Sequence, residues 1–115
     1  MAKATITLSK SALRDLRGIK DWYEEEGVPD VGKRLVREIF MHIDRLADHP
    51  DLGRIVPEFD QAFLRELIHP PFRIVYRRDP GSRPDQPRVR VRIVRVWRGE
   101  RLLRLRPVAP VEMRM

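Results

Sequence analysis

Arginine is the residue type that could carry chemistry in this sequence. In FRIVYRR (residues 72–78), Arg73 interrupts the strand formers Phe72, Ile74, Val75 and Tyr76. A charge there must be paired, or must point to a place where charge is wanted. Further along, RVRVRI (88–93) sets Arg88, Arg90 and Arg92 against Val89, Val91 and Ile93, because successive strand side chains point to opposite faces. The same alternation sets Arg73, Val75 and Arg77 against Phe72, Ile74 and Tyr76, and Arg65 and Leu67 against Leu64, Glu66 and Ile68. Three such strands can gather Arg65, Arg73, Arg77, Arg90 and Arg92 on one open, concave basic face, with Arg73 outside the core. Guanidinium forks match phosphate in plane and stay charged, so this face suits an anionic partner, either nucleic acid or an acidic protein. Cleavage of RNA by its 2′-hydroxyl would also need a base, an acid and positive charge on the phosphorane. Arginine supplies only the last, since its pKa lies above ~12. Tyr76 qualifies as acid or base by type, but alternation turns it toward the apolar side. The competing reading pairs these arginines with Glu66, Asp79, Glu100 or the acids of a partner protein.

Charge is unevenly placed. The chain has 115 residues and a net charge of +7. Residues 1–63 carry 10 Lys/Arg against 12 Asp/Glu, whereas residues 64–106 carry 13 Arg, no Lys and 4 Asp/Glu. Cysteine is absent, which excludes disulfides and thiolate metal sites and permits a reducing compartment. Neither MAKATITLSK at the N-terminus nor any later run is apolar enough for a signal peptide or a membrane span, so a cytoplasmic protein with no membrane partner is expected. His42, His49 and His69 show no metal-ligand spacing, and neither a metal nor another cofactor is expected. Trp97, at a strand end, reads as core or as a stacking surface.

These residues need positioning elements. ATITL (4–8) alternates and reads as a strand. Ser9 or Ser11 can cap a helix whose apolar positions Ala12, Leu13, Leu16, Ile19 and Tyr23 form one face. Gly27 stops it. Pro29 and Asp30 suit the first turn of a second helix with Leu35, Val36, Ile39, Phe40, Ile43, Leu46 and Ala47 on its apolar side, ending by Pro50. The short link predicts a helical hairpin. Residues 51–63 read as irregular, 64–68 and 72–78 as strands around Pro70 and Pro71, 79–87 as a loop, and 88–97 as the longest strand. Arg95 stands where an apolar residue is due, which a bulge after Val94, or a strand central enough to be covered on both sides there, would explain. One α+β domain over residues 1–106 follows: a small antiparallel sheet with the hairpin on one face, and a flexible tail at 107–115.

The stretches ALRDLRGIKDWYEEE, LADHPDLGR, LRELIHPPFRIVYR and VRIVRVWRGERLL, in this order and spacing, resemble the RelE/ParE superfamily of toxins from type II toxin–antitoxin pairs. The resemblance spans residues 4–103. It implies a twisted antiparallel sheet under a helical hairpin, and a cognate acidic antitoxin that wraps the toxin. It implies either of two activities. RelE-type toxins cut ribosome-bound messenger RNA without metal, using basic residues on the open sheet face, whereas ParE-type toxins poison DNA gyrase without chemistry of their own. Arg73 falls on the in-strand arginine of RelE-type members, Arg65 on their preceding strand, and Arg98 or Arg101 on an arginine after the last strand. On that match Arg73, Arg98 and Arg101 would be catalytic, and Arg65, Arg77, Arg90 and Arg92 would hold RNA phosphates. This makes ribosome-dependent messenger RNA cleavage the expected activity, with gyrase poisoning or an inactive antitoxin-binding relic as alternatives. Two departures stand against cleavage: no Tyr or His follows Trp97, and Leu16, Ile19 and Tyr23 resemble the ParE-type first helix.

Overall fold

A computed structural model describes residues 3–80 and 89–99. Arg101, Glu100 and the expected tail at 107–115 lie outside the described residues, as does most of the 79–87 loop. Strand β1 (Thr5–Leu8) leads into helix α1 (Lys10–Glu25), helix α2 (Pro29–Arg45) and strands β2 (Arg54–Ile55), β3 (Leu64–His69), β4 (Phe72–Asp79) and β5 (Arg90–Arg98). Of the two candidate caps Ser9 is used: its Oγ accepts from the Ala12 N–H at 3.0 Å and donates to the Val94 carbonyl at 2.9 Å. Gly27, at φ +80°, closes the turn out of α1, a conformation glycine adopts without steric cost. A Cβ on Gly32 would stand 2.9 Å from Tyr23 Cβ, so the absence of a side chain lets α2 approach α1 closely.

The strands form one sheet in the order β1-β5-β4-β3-β2. The three pairings from β2 to β5 are antiparallel, and β1 joins β5 in parallel as an edge. The two-residue strand β2 falls in the stretch that carries no periodic pattern. The register slips between Val75 and Tyr76, which leaves Val94 without a partner on β4; this is the bulge, one of the two explanations of the Arg95 irregularity. Both helices lie on one sheet face over a core that includes Leu16, Ile39, Ile43, Leu46, Ile74, Tyr76 and Ile93. Leu13 and Phe40, expected on the apolar helix faces, are instead exposed. A second, smaller cluster of Val56 and Val75, with Leu64, Val94 and Trp97 against it, lies on the face away from the helices. That face is therefore partly covered by the segment after β2.

Candidate functional site

Register decides which arginines share a face. Arg73, Val75 and Arg77 oppose Ile68, Glu66 and Leu64 on β3, and Arg77 opposes Arg92 on β5. Arg73, Arg77, Arg90 and Arg92 accordingly lie on the side away from the helices, as alternation requires. Arg65 does not: it pairs with Tyr76, which is in the helix-side core. There Arg65 Nη1 donates to the Gly53 carbonyl at 3.0 Å, and Asp51 lies between it and Arg78.

Arg73 is the main correction. It is on the expected face but it is buried, at 3% exposure, and its guanidinium is held by two carboxylates. Nε donates to Glu66 Oε1 at 2.6 Å, while Nη1 and Nη2 donate to the two oxygens of Glu58 at 2.6 and 2.8 Å. Glu66 reaches back through Oε2 to Arg54 Nε at 2.7 Å. The charges alternate along Arg54, Glu66, Arg73 and Glu58, and each buried ion meets an opposite one, as burial demands. The hydrogen bonds to Glu58 outweigh burial and push the Arg73 pKa up, so the group remains a cation. Glu66 comes from the neighbouring strand, one of the partners foreseen for these arginines. Glu58 comes from the irregular segment and was not foreseen; nothing in the local pattern marks it.

The remaining arginines of the face are open. Arg77 is exposed, pairs with Asp79 at 2.9 Å and lies over the Phe63 ring. Arg90 and Arg92 are exposed. Arg98 is elsewhere: it opposes Phe72 on the helix side, and its guanidinium lies 5.2 Å from the Trp22 ring centroid and 5.4 Å from that of Phe72. The structure thus brings together Arg73, Arg77, Arg90 and Arg92, and separates Arg65 and Arg98 from them.

Among the described residues of that face, the acids Glu58, Glu66 and Asp79 are each paired with an arginine. Tyr76 is fully buried on the helix side, as alternation requires; its hydroxyl donates to the Pro50 carbonyl at 2.8 Å and accepts from the Gly53 N–H at 2.9 Å. Burial raises its pKa. Gly53 permits this knot, because a Cβ there would meet the Glu66 carbonyl oxygen at 2.5 Å and the Tyr76 ring at 2.7 Å. Two histidines form a chain that sequence spacing did not reveal. His42 Nε2 lies 3.0 Å from His69 Nδ1, and His69 Nε2 lies 2.8 Å from Glu38 Oε1. Desolvation and the neighbouring His69 and Arg45 lower the His42 pKa, while the His69 hydrogen bond lowers that of Glu38. Among the described residues, no group of three His, Cys, Asp or Glu side chains is arranged to hold a metal ion, and no helix is long and apolar enough to cross a membrane.

Residues 6–103 match the family described as the ParE toxin of the type II toxin–antitoxin system, parDE. The fold is similar to a chain of the chromosomal ParDE toxin–antitoxin system from P. aeruginosa, with a TM-score of 0.64 at 21% identity over 84% of this chain and 96% of that one. It is also similar to a chain of the RelBE2 toxin–antitoxin complex from Mycobacterium tuberculosis, with a TM-score of 0.57 at 17% identity over 84% of this chain and 98% of that one. At these identities the likeness concerns the fold. No curated protein matches the sequence.

Proposed function

The chain belongs to the ParE toxin family of type II toxin–antitoxin systems, and from that premise we propose that it acts by binding DNA gyrase rather than by cutting messenger RNA. The observation that carries this reading is the occupied state of Arg73. A catalytic arginine must present free N–H groups to the scissile phosphate. Here Nε, Nη1 and Nη2 are all committed to Glu58 and Glu66, and the side chain is 4% exposed. Tyr76 is equally committed, and on the opposite face, where His69 of β3 is also taken up, by His42 and Glu38. The exposed Arg77, Arg90 and Arg92 can attract a polyanion, but Asp79, the carboxylate beside them among the described residues, is paired with Arg77, so they supply binding and not chemistry. A cognate antitoxin is the natural partner of such a toxin, and its acidic side chains complement this basic face.

The test is paired. Purified toxin is added to gyrase supercoiling a relaxed plasmid, and separately to a cell-free translation reaction probed by primer extension. Lost supercoiling with an uncut message is expected. Ribosome-dependent cuts within codons, with supercoiling intact, would overturn the proposal in favour of the RelE-type activity. If neither reaction is touched, the chain is an antitoxin-binding relic.

A further inference from the structure

A second cationic site lies on the helix side, in a groove between α1 and the end of β5. Its lining includes the aromatic residues Trp22, Tyr23, Phe72 and Trp97 and the arginines Arg14, Arg95 and Arg98. Trp22 is 47% exposed, an unusual position for so large an apolar side chain, and meets Tyr23 edge to face at 4.8 Å. Arg98 lies near the faces of Trp22 and Phe72, which fix its planar fork in place. Its nearest polar contact is the Tyr23 hydroxyl at 3.5 Å. No carboxylate among the described residues pairs with Arg98 or with the exposed Arg14. The single acid of the groove, Asp15, is already neutralised: it accepts from Arg95 through both oxygens at 2.7 and 2.9 Å and from the Val96 N–H at 2.9 Å. The groove thus combines stacking surfaces with two guanidinium groups that no carboxylate of the described residues pairs.

We propose that this groove binds an unpaired nucleotide unit of a nucleic-acid strand, with its base stacked against Trp22 and its phosphate held by Arg98 and Arg14. Rings that stack any base together with a cationic groove are the chemistry of single-strand binding, and a ring-backed arginine fork suits a phosphate. An extended peptide fits less well. Strand addition needs free main-chain groups on the edge of β5 beyond β1, yet the Val94 carbonyl is taken by Ser9 and the Val96 N–H by Asp15. The inference goes beyond gyrase binding and stands or falls separately from it.

The experiment measures the anisotropy of a labelled ten-residue oligothymidylate titrated with the full-length protein. Saturable binding is expected, weakening about 2.6-fold between 50 and 200 mM salt for one neutralised phosphate. A blunt duplex of similar length binds more weakly, because its bases are already stacked. R98Q and W22A each lower affinity about tenfold, R98K lowers it less, and K33Q/R37Q, at two exposed cations of α2, leaves it within about twofold. A melting curve accompanies each variant; if R98Q proves unstable, W22A at its exposed position decides. Three results would each overturn the proposal: no binding at 50 mM salt, native affinity in both R98Q and W22A, or loss of binding in K33Q/R37Q alone. Displacement of the oligonucleotide by an equal concentration of a glutamate-rich peptide would assign the groove to a protein partner instead.

Discussion

Replacing Arg73 by alanine separates a structural arginine from a catalytic one. The substitution leaves Glu58 and Glu66 facing each other with side chains only 3% and 0% exposed. Arg54 can still neutralise Glu66 from its exposed position, but the cation between the two acids is gone. Breaking a buried ion pair by removing one partner costs about 3–5 kcal/mol. Domains of this size hold roughly 5–15 kcal/mol in all, and each kcal/mol moves the melting temperature by about 4–8 °C. R73A should therefore melt roughly 12–40 °C below the native protein. Calorimetry or circular dichroism measures this directly. The companion variant R73M/E58Q/E66Q replaces the buried ions by neutral groups of similar volume and should recover much of the loss, since removal of all the buried charges is often close to neutral. The consequence for function is direct: R73A abolishing toxicity would reflect unfolding. If R73A melts within a few degrees of the native protein yet is no longer toxic, the clamp contributes little, Arg73 acts on a substrate, and the reasoning here is wrong.

Other outcomes follow from the same contacts. Y76F removes the hydroxyl between Pro50 and Gly53 and leaves a buried N–H unpaired, which should cost about 1–3 kcal/mol by urea denaturation. G53A drives a Cβ into the Glu66 carbonyl and the Tyr76 ring and should destabilise at least as much, visible in the same assay. D15A frees Arg95 and the Val96 N–H and should loosen the α1–β5 contact, read as faster amide exchange at Val96. The His42 chain makes stability pH-dependent. His42 faces His69, Glu38 and Arg45, and its folded pKa is depressed, so the unfolded chain binds the proton first. Stability is therefore complete above about pH 6.5 and falls as pH drops through the histidine range, by no more than about 1.4 kcal/mol per pH unit from this group. H42N should flatten that decline between pH 7.5 and 5.5; an unchanged slope would remove His42 as its cause.

Local rules reached far in this sequence. The Ser9 cap, the Gly27 stop and Pro29 at the start of α2 follow from backbone chemistry within a few residues. Apolar spacing fixed the core side of both helices around Ala12, Leu16, Ile19, Leu35, Ile39 and Ile43, and alternation set the four longer strands and the side on which Arg73 projects. Pairing was a different matter. Alternation in LRELI says that Arg65 and Glu66 face opposite ways, but not which way; only the register of Arg65 against Tyr76 decides, and it puts Arg65 beside the core. Glu58 lies 15 residues before Arg73 in a segment without period, Asp15 lies 80 residues from Arg95, and His42 lies 27 from His69. An ion pair depends on distance in space, and a charge is free or occupied according to which chain segment folds over it. By itself the sequence determined both helices, four of the five strands, the family and the basic half of the chain. Only the tertiary structure decided that the arginine in FRIVY is enclosed by two carboxylates, because its second carboxylate arrives on a loop whose course no local preference dictates.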